Sequence, residues 1–246
     1  MLPDFTLLQW LAAAVVFVWA GFVRSGLGFG GAALGLPFML FIHNTPLLWL
    51  PVIGLHLMFF SGLTLSQRLH NVDWGYLRRS AVYIVPPAII GVFGLINLPT
   101  LWLNIFIYAV TLFYGFIWML NRAIESQQDW VDKVLLVLGG YVAGTSLTGA
   151  PLMAAVYMRH VPRQQLRDTL FVLWFTLVAI KMSTFLALSV NLQLLLAFVL
   201  LPMAGIGHVL GLKAHNAILH NDALFKRWIG SGLIIVSFLG LWNAIR

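Results

Sequence analysis

The sequence predicts an all-α polytopic membrane protein made of two inverted repeats, each a broken-helix, re-entrant-like hairpin followed by three transmembrane helices. Three observations carry that prediction. Hydrophobic residues make up 61% of the chain and charged residues only 9%, whereas a soluble domain carries about 25% charged residues. Apolar runs recur at 7–23, 27–42, 46–66, 80–96, 101–121, 133–145, 149–158, 168–189, 193–212 and 227–245. They are too continuous for a β-barrel, whose strands alternate in short segments. Two glycine-rich stretches, 21–32 and 140–151, lie 119 positions apart, and each interrupts a pair of apolar runs.

Taken in order, the first run has no basic region before it and leads directly into Arg24. It therefore reads as a helix rather than a cleaved signal peptide. Segments 7–23 and 27–42 form the first interrupted pair, and the spans 46–66, 80–96 and 101–121 follow. The second half repeats the order: 133–145 and 149–158, then 168–189, 193–212 and 227–245. The domain boundary implied is 1–122 for the first repeat and 123–246 for the second. At 1.5 Å per residue, 133–145 and 149–158 are each too short for a core of about 30 Å, so they read as a re-entrant hairpin. Segments 7–23 and 27–42 are marginal spans, and full crossing and re-entry both stay open for them. Pro46 and Pro162 precede helices, where proline is tolerated. Trp10, Trp49, Trp74, Trp102, Trp130 and Trp228 lie near segment ends, as an interfacial belt requires.

The charges set the orientation. Arg68, Arg78 and Arg79, then Arg122 and Lys133, then Arg159, Arg163 and Arg167, then Lys213, Lys226 and Arg227 cluster in alternate connections, while 43–45, 97–100 and 190–192 carry no lysine or arginine. The positive-inside rule puts the first set in the cytoplasm and both termini outside. The halves then begin on opposite sides, which makes the repeat inverted. The formal charge of +7 is spent on these loops, so nucleic acid is not an expected partner. The lipid bilayer is. The chain has no cysteine, which excludes a disulfide framework, a thiolate nucleophile and a thiolate metal site.

Interrupted helices in inverted repeats place a transport site near the midplane. Helices restarting near Gly28 and Gly149 would aim free N–H groups and about half a positive charge each at that centre. Arg24 adds a full charge in a planar fork suited to oxyanions. Ser25, Thr145, Ser146 and Thr148 add hydroxyls, and Gly26, Gly28 and Gly30 free the backbone of the first break. Lys181 lies in the middle of 168–189, a depth at which an ionisable residue marks function. His56 and His208, both inside apolar runs, are candidates to carry a coupling proton, because imidazole titrates near neutral pH. No acidic residue lies deep in any run, so neither a metal nor a cofactor is expected. Asn104 and Gln193 are weaker polar candidates. Pro86-Pro87 with Gly91 and Gly94, and Pro202 with Gly205, Gly207 and Gly211, occupy matching spans and read as hinges or close-packing sites, with packing the safer assignment.

Gly26-Leu27-Gly28-Phe29-Gly30-Gly31 followed by Pro37, and Gly149-Ala150-Pro151 heading the second half, resemble the paired signatures of the TauE/SafE sulfite exporter family of membrane permeases. The proline-then-glycine spans and the closing span after Phe225-Lys226-Arg227 are similar too. The second motif departs from the usual form, with Ala150 in place of a glycine and Thr148 before Gly149. The resemblance implies a multi-pass protein of the bacterial cytoplasmic membrane that moves sulfite, sulfonates or related organic anions.

The expected function is thus a secondary transporter, an exporter, for a small sulfur-containing anion such as sulfite or an organosulfonate, working by alternating access. No Walker-type G-x-x-x-x-G-K-[ST] loop is present for ATP hydrolysis. A passive anion channel would use the same positive site. An intramembrane hydrolase built on Ser146 with His208 as its base is the remote alternative, and the expectation is that the chain is not an enzyme. A homodimer is one assembly open to a chain this small.

Overall fold

A computed structural model describes residues 2–27, 30–66, 68–122, 124, 128–220 and 222–245. Among the described residues there are ten α-helices, one 3-10 turn and no strand. The helices are α1 Leu7–Leu27, α2 Gly31–Ile42, α3 Pro46–Leu65, α4 Trp74–Asn97, α5 Thr100–Met119, α6 Asp129–Ser146, α7 Ala150–His160, α8 Arg163–Ala187, α9 Leu194–His220 and α10 Asp222–Ile245. All but α2, α6 and α7 are long and apolar enough to cross a membrane.

The short second arms of both hairpins are present. α2 has 12 residues and α7 has 11, giving about 18 and 16 Å, roughly half of a bilayer core. The first arms are longer than the apolar runs suggest. α6 has 18 residues, about 27 Å, because its charged start, Asp129 to Lys133, is already helical. α1 continues to Leu27, so Arg24, Ser25 and Gly26 sit in its last two turns rather than in unwound chain. α9 continues to His220 and takes in half of the stretch 213–226 expected as a loop. Trp49 is fully buried and donates to the His43 carbonyl at 2.8 Å, so it packs the interior instead of joining the interfacial belt. Trp102, Trp130 and Trp228 are exposed as expected.

The chain forms two compact units: Met1–Val52, Leu98–Ala123 and Gln193–Arg246 in the first, Ile53–Asn97 and Ile124–Leu192 in the second. In the first, α1 lies along α9, α5 lies along α10, and α2 packs on α1, α5 and α10. Val23, Leu34, Trp118, Ile229 and Leu233 form its buried apolar cluster. In the second, α4 lies along α6, α7 folds back on α6, and α8 packs on α4, α6 and α7.

The principal seam of one unit has matching close contacts in that of the other. A Cβ at Gly21 of α1 would collide with the Ala204 carbonyl of α9, and a Cβ at Gly140 of α6 with the Ile84 carbonyl of α4. Gly211 meets the Phe22 carbonyl and the Gly26 nitrogen, and Gly91 meets the Tyr141 carbonyl and the Thr145 nitrogen. Gly21, Phe22 and Gly26 precede Gly140, Tyr141 and Thr145 by the same 119 positions, and Ile84 and Gly91 precede Ala204 and Gly211 by the same 120. Glycine is needed at these points because backbone touches backbone across the seam, the arrangement that drives helix association in lipid. The packing role read for Gly91, Gly207 and Gly211 is what the contacts give them.

The second hairpin is clasped at its base. Asp132 near the start of α6 is buried and accepts from Arg159 Nη1 and from His160 Nε2, each at 2.7 Å, at the end of α7. Tyr76 of α4 stacks on His160 with ring centroids 5.0 Å apart, and the Tyr157 hydroxyl donates to Ser80, whose own proton goes to the Leu77 carbonyl. In the first hairpin Gln9 Nε2 donates to the Ile42 carbonyl at 3.0 Å, a neutral bond. Removing one partner of a buried pair leaves the other uncompensated. Asp132→Asn is therefore expected to destabilise the protein by about 1–3 kcal/mol, read as a lower thermal midpoint in detergent. An unchanged midpoint would show the clasp to be energetically idle.

Candidate anion site

Arg24 owes its position to glycine. A Cβ on Gly31 would come within 2.9 Å of the Arg24 Cβ and 2.8 Å of the Ala20 carbonyl. Only a residue without a side chain lets α2 begin directly against the arginine. Gly30 holds the left-handed conformation, φ +83°, which turns the chain into α2 and which other residues adopt at a cost. The first turn of α2, Gly31, Ala32 and Ala33, is buried and has no side-chain cap. Buried N–H groups at a helix start demand a partner, and the helix dipole makes an anion the favoured one. The stem of Arg24 and the start of α2 are thus packed together in the first unit. Gly28, expected to contribute backbone here, lies outside the described residues.

The second hairpin breaks in the same manner. Leu147 ends α6 at φ +60° and α7 starts after Gly149, again with no side-chain cap. Gly149 is pressed against the Gly139 carbonyl and Ala143. Thr145, Ser146 and Thr148 are all buried at this break. Their hydroxyls, however, are turned inward. Thr145 donates to the Tyr141 carbonyl at 2.9 Å and Ser146 to the Val142 carbonyl at 3.0 Å, so Thr148 donates to Ser146 at 2.6 Å. In this arrangement the three hydroxyls shape the turn, and the start of α7 is left without a side-chain cap.

Lys181 of α8 is 0% exposed, and its Nζ has no hydrogen-bond partner among the described residues. An ammonium so placed needs an opposite charge from somewhere. His56 of α3 is buried in the same unit. In the first unit His208 of α9 pairs with Ser25: Nδ1 and Oγ are 2.6 Å apart. No local signal points to that pair, which is separated by 183 positions. Ser146 bonds Thr148 within the second unit, and His208 bonds Ser25 within the first. Asn104 donates to Asn44 Oδ1 at 2.7 Å and ties α5 to the α2–α3 turn. No group of three or more histidine or acidic side chains is gathered as a metal site among the described residues.

The arrangement offers positive charge and N–H donors at two helix starts and little that would attract a cation. A family model described as Sulfite exporter TauE/SafE matches residues 13–239. No curated protein and no solved structure matches the chain.

Proposed function

The chain belongs to the sulfite exporter TauE/SafE family, a family of membrane transporters, and from that premise we propose that it is a secondary transporter whose cargo is a small sulfur-containing oxyanion or organosulfonate. The observation that carries the reading is Arg24 seated against the uncapped, buried start of α2. A planar fork and a row of N–H groups at one place bind a compact anion with several oxygens better than a neutral solute. Gly26, Gly28 and Gly30 of the first break, Gly149 of the second and Lys181 of α8 complete the proposed set. Ser25, Thr145, Ser146 and Thr148 contribute by holding the breaks in shape and by exchanging their present partners for the anion.

The proposed movement is outward transport by alternating access of two inverted repeats, 1–122 and 123–246, across the bacterial cytoplasmic membrane. The matched glycine contacts of α1 with α9 and of α6 with α4 support a duplicated architecture. The test is a thermal-shift screen of the purified protein against sulfite, sulfate, thiosulfate, sulfoacetate, taurine and lactate, with Arg24→Ala in parallel. One sulfur anion is expected to stabilise the wild type saturably, and Arg24→Ala to weaken it about tenfold to a hundredfold, the worth of a charge-assisted bidentate contact. A shift that survives unchanged in Arg24→Ala would remove the arginine from the site.

A further inference from the structure

We infer that Ser25 and His208 form a proton-operated donor, which offers a hydroxyl to the anion at Arg24 only when the imidazole has taken up a proton. The inference rests on the anion site proposed above and adds its regulation. The Ser25 Oγ and His208 Nδ1 are 2.6 Å apart. With a neutral imidazole carrying its hydrogen on Nε2, Nδ1 accepts and the serine proton is committed to it. When a proton from water adds to Nδ1, that nitrogen becomes the donor and Oγ the acceptor. The serine hydrogen is then released and free to turn toward another acceptor. No covalent bond changes except the new N–H, and the pair gains one positive charge. Ser25 is the residue after Arg24 in the last turns of α1, and Arg24 packs against the start of α2, so the released hydroxyl and the new charge arise one residue from the proposed site.

A second observation makes the pair more than seam packing. The residues of the second unit that match Ser25 and His208 in the registers above are Gly144 and Ala88. There a Cβ on Gly144 would run into the Ala88 carbonyl, and the helices close backbone to backbone. The seam therefore forms without a polar pair, and the first unit carries one in place of that contact. The charged surroundings are simple. Arg24 is the one ionisable side chain along α1, α2 has none, and α5 has only Tyr108 and Tyr114. The acidic and basic residues of α10, Asp222, Lys226 and Arg227, fall within its first six positions, and the other ionisable residues of α9, Lys213, His215 and His220, all follow His208 by more than a turn.

The experiment uses the full-length protein in detergent with methanesulfonate and sulfate as probes, neither of which titrates in the histidine range. Apparent affinity is read by thermal shift between about pH 5.5 and about pH 8.5, and proton uptake on anion addition is read in weak buffer. The wild type is expected to bind about tenfold more tightly at the acid end and to take up protons as it binds. His208→Gln should flatten the pH profile, and Ser25→Ala should shrink it to the part due to the imidazolium charge while keeping weak binding through Arg24. Ser25→Gly, which copies the residue of the second unit, serves if the alanine variant does not fold. Anion binding with the same affinity at every pH overturns the switch and leaves the anion site standing. A full pH effect persisting in both Ser25 variants also overturns it, because the hydroxyl is then not the moving part. Absence of binding by the wild type at any pH overturns both readings.

Discussion

A Lys181→Met variant is expected to be more thermostable than the wild type while transporting its anion at least about a hundredfold more slowly, a loss of about 2.7 kcal/mol in the transport barrier. The two effects have opposite signs for one reason. Lys181 is among the largest fully buried side chains, and its ammonium has no protein partner among the described residues. Replacing a buried charge by an apolar side chain of similar length is commonly neutral or stabilising by about 1–4 kcal/mol. The same replacement deletes the charge that a passing anion would neutralise. Thermal midpoints in detergent and uptake into proteoliposomes read the two separately. A lower midpoint with unimpaired uptake would make Lys181 a structural residue. Lys181→Arg adds a finer check, since a fixed fork in place of a point charge should keep some transport with altered anion preference.

Gly207→Val is expected to prevent the first unit from assembling, at a cost above about 4 kcal/mol, the range in which single substitutions act through gross overpacking. A Cβ there would strike the Val18 carbonyl and come within 2.8 Å of the Phe22 nitrogen. Both are backbone atoms of α1, which cannot yield as a flexible side chain can. Gly91→Val should damage the second unit equally, through the Tyr141 carbonyl. Gly232→Ala is the control: nothing lies within 4 Å of a Cβ at that position, and an alanine in a helix is favoured over glycine by up to about 1 kcal/mol. Folded yield by size-exclusion chromatography separates these outcomes. A Gly207→Val protein with a normal elution profile and midpoint would show that the seam is looser than its contacts imply.

Most of the helix order was legible because lipid imposes one rule on every span: apolar throughout, with charge confined to the connections. The ends were less legible for the same reason. Asp129 and Asp132 read as loop because they are charged, yet they are helical, and Asp132 is held inside by Arg159 and His160. Glycine carries two meanings that sequence does not separate. Gly21 and Gly144 read as places where a helix breaks, and both prove to be places where helices touch. Gly30 and Gly149 do mark breaks. Among the candidate residues, Arg24 and Lys181 stood out because a charge in an apolar run is costly and conspicuous. The inward bonds of Thr145 and Ser146 follow a local habit, since hydroxyls within helices donate to the carbonyl four residues back. The Ser25–His208 pair has no such local signature, because it is created by the packing of α1 on α9.

The composition of the two units also dictates an order of events during synthesis. The second unit is complete once residue 192 has been made. The first is not, because α1 and α2, made at the outset, take their partners from α5, α9 and α10. At a ribosomal pace of about 5–20 residues per second, α1 waits roughly ten seconds to half a minute for α9. Throughout that delay the Arg24 helix stands in the membrane without its seam. The nascent chain thus exposes the span that carries Arg24 to lipid, or to whatever insertion machinery shelters it, until the last quarter of the polypeptide arrives.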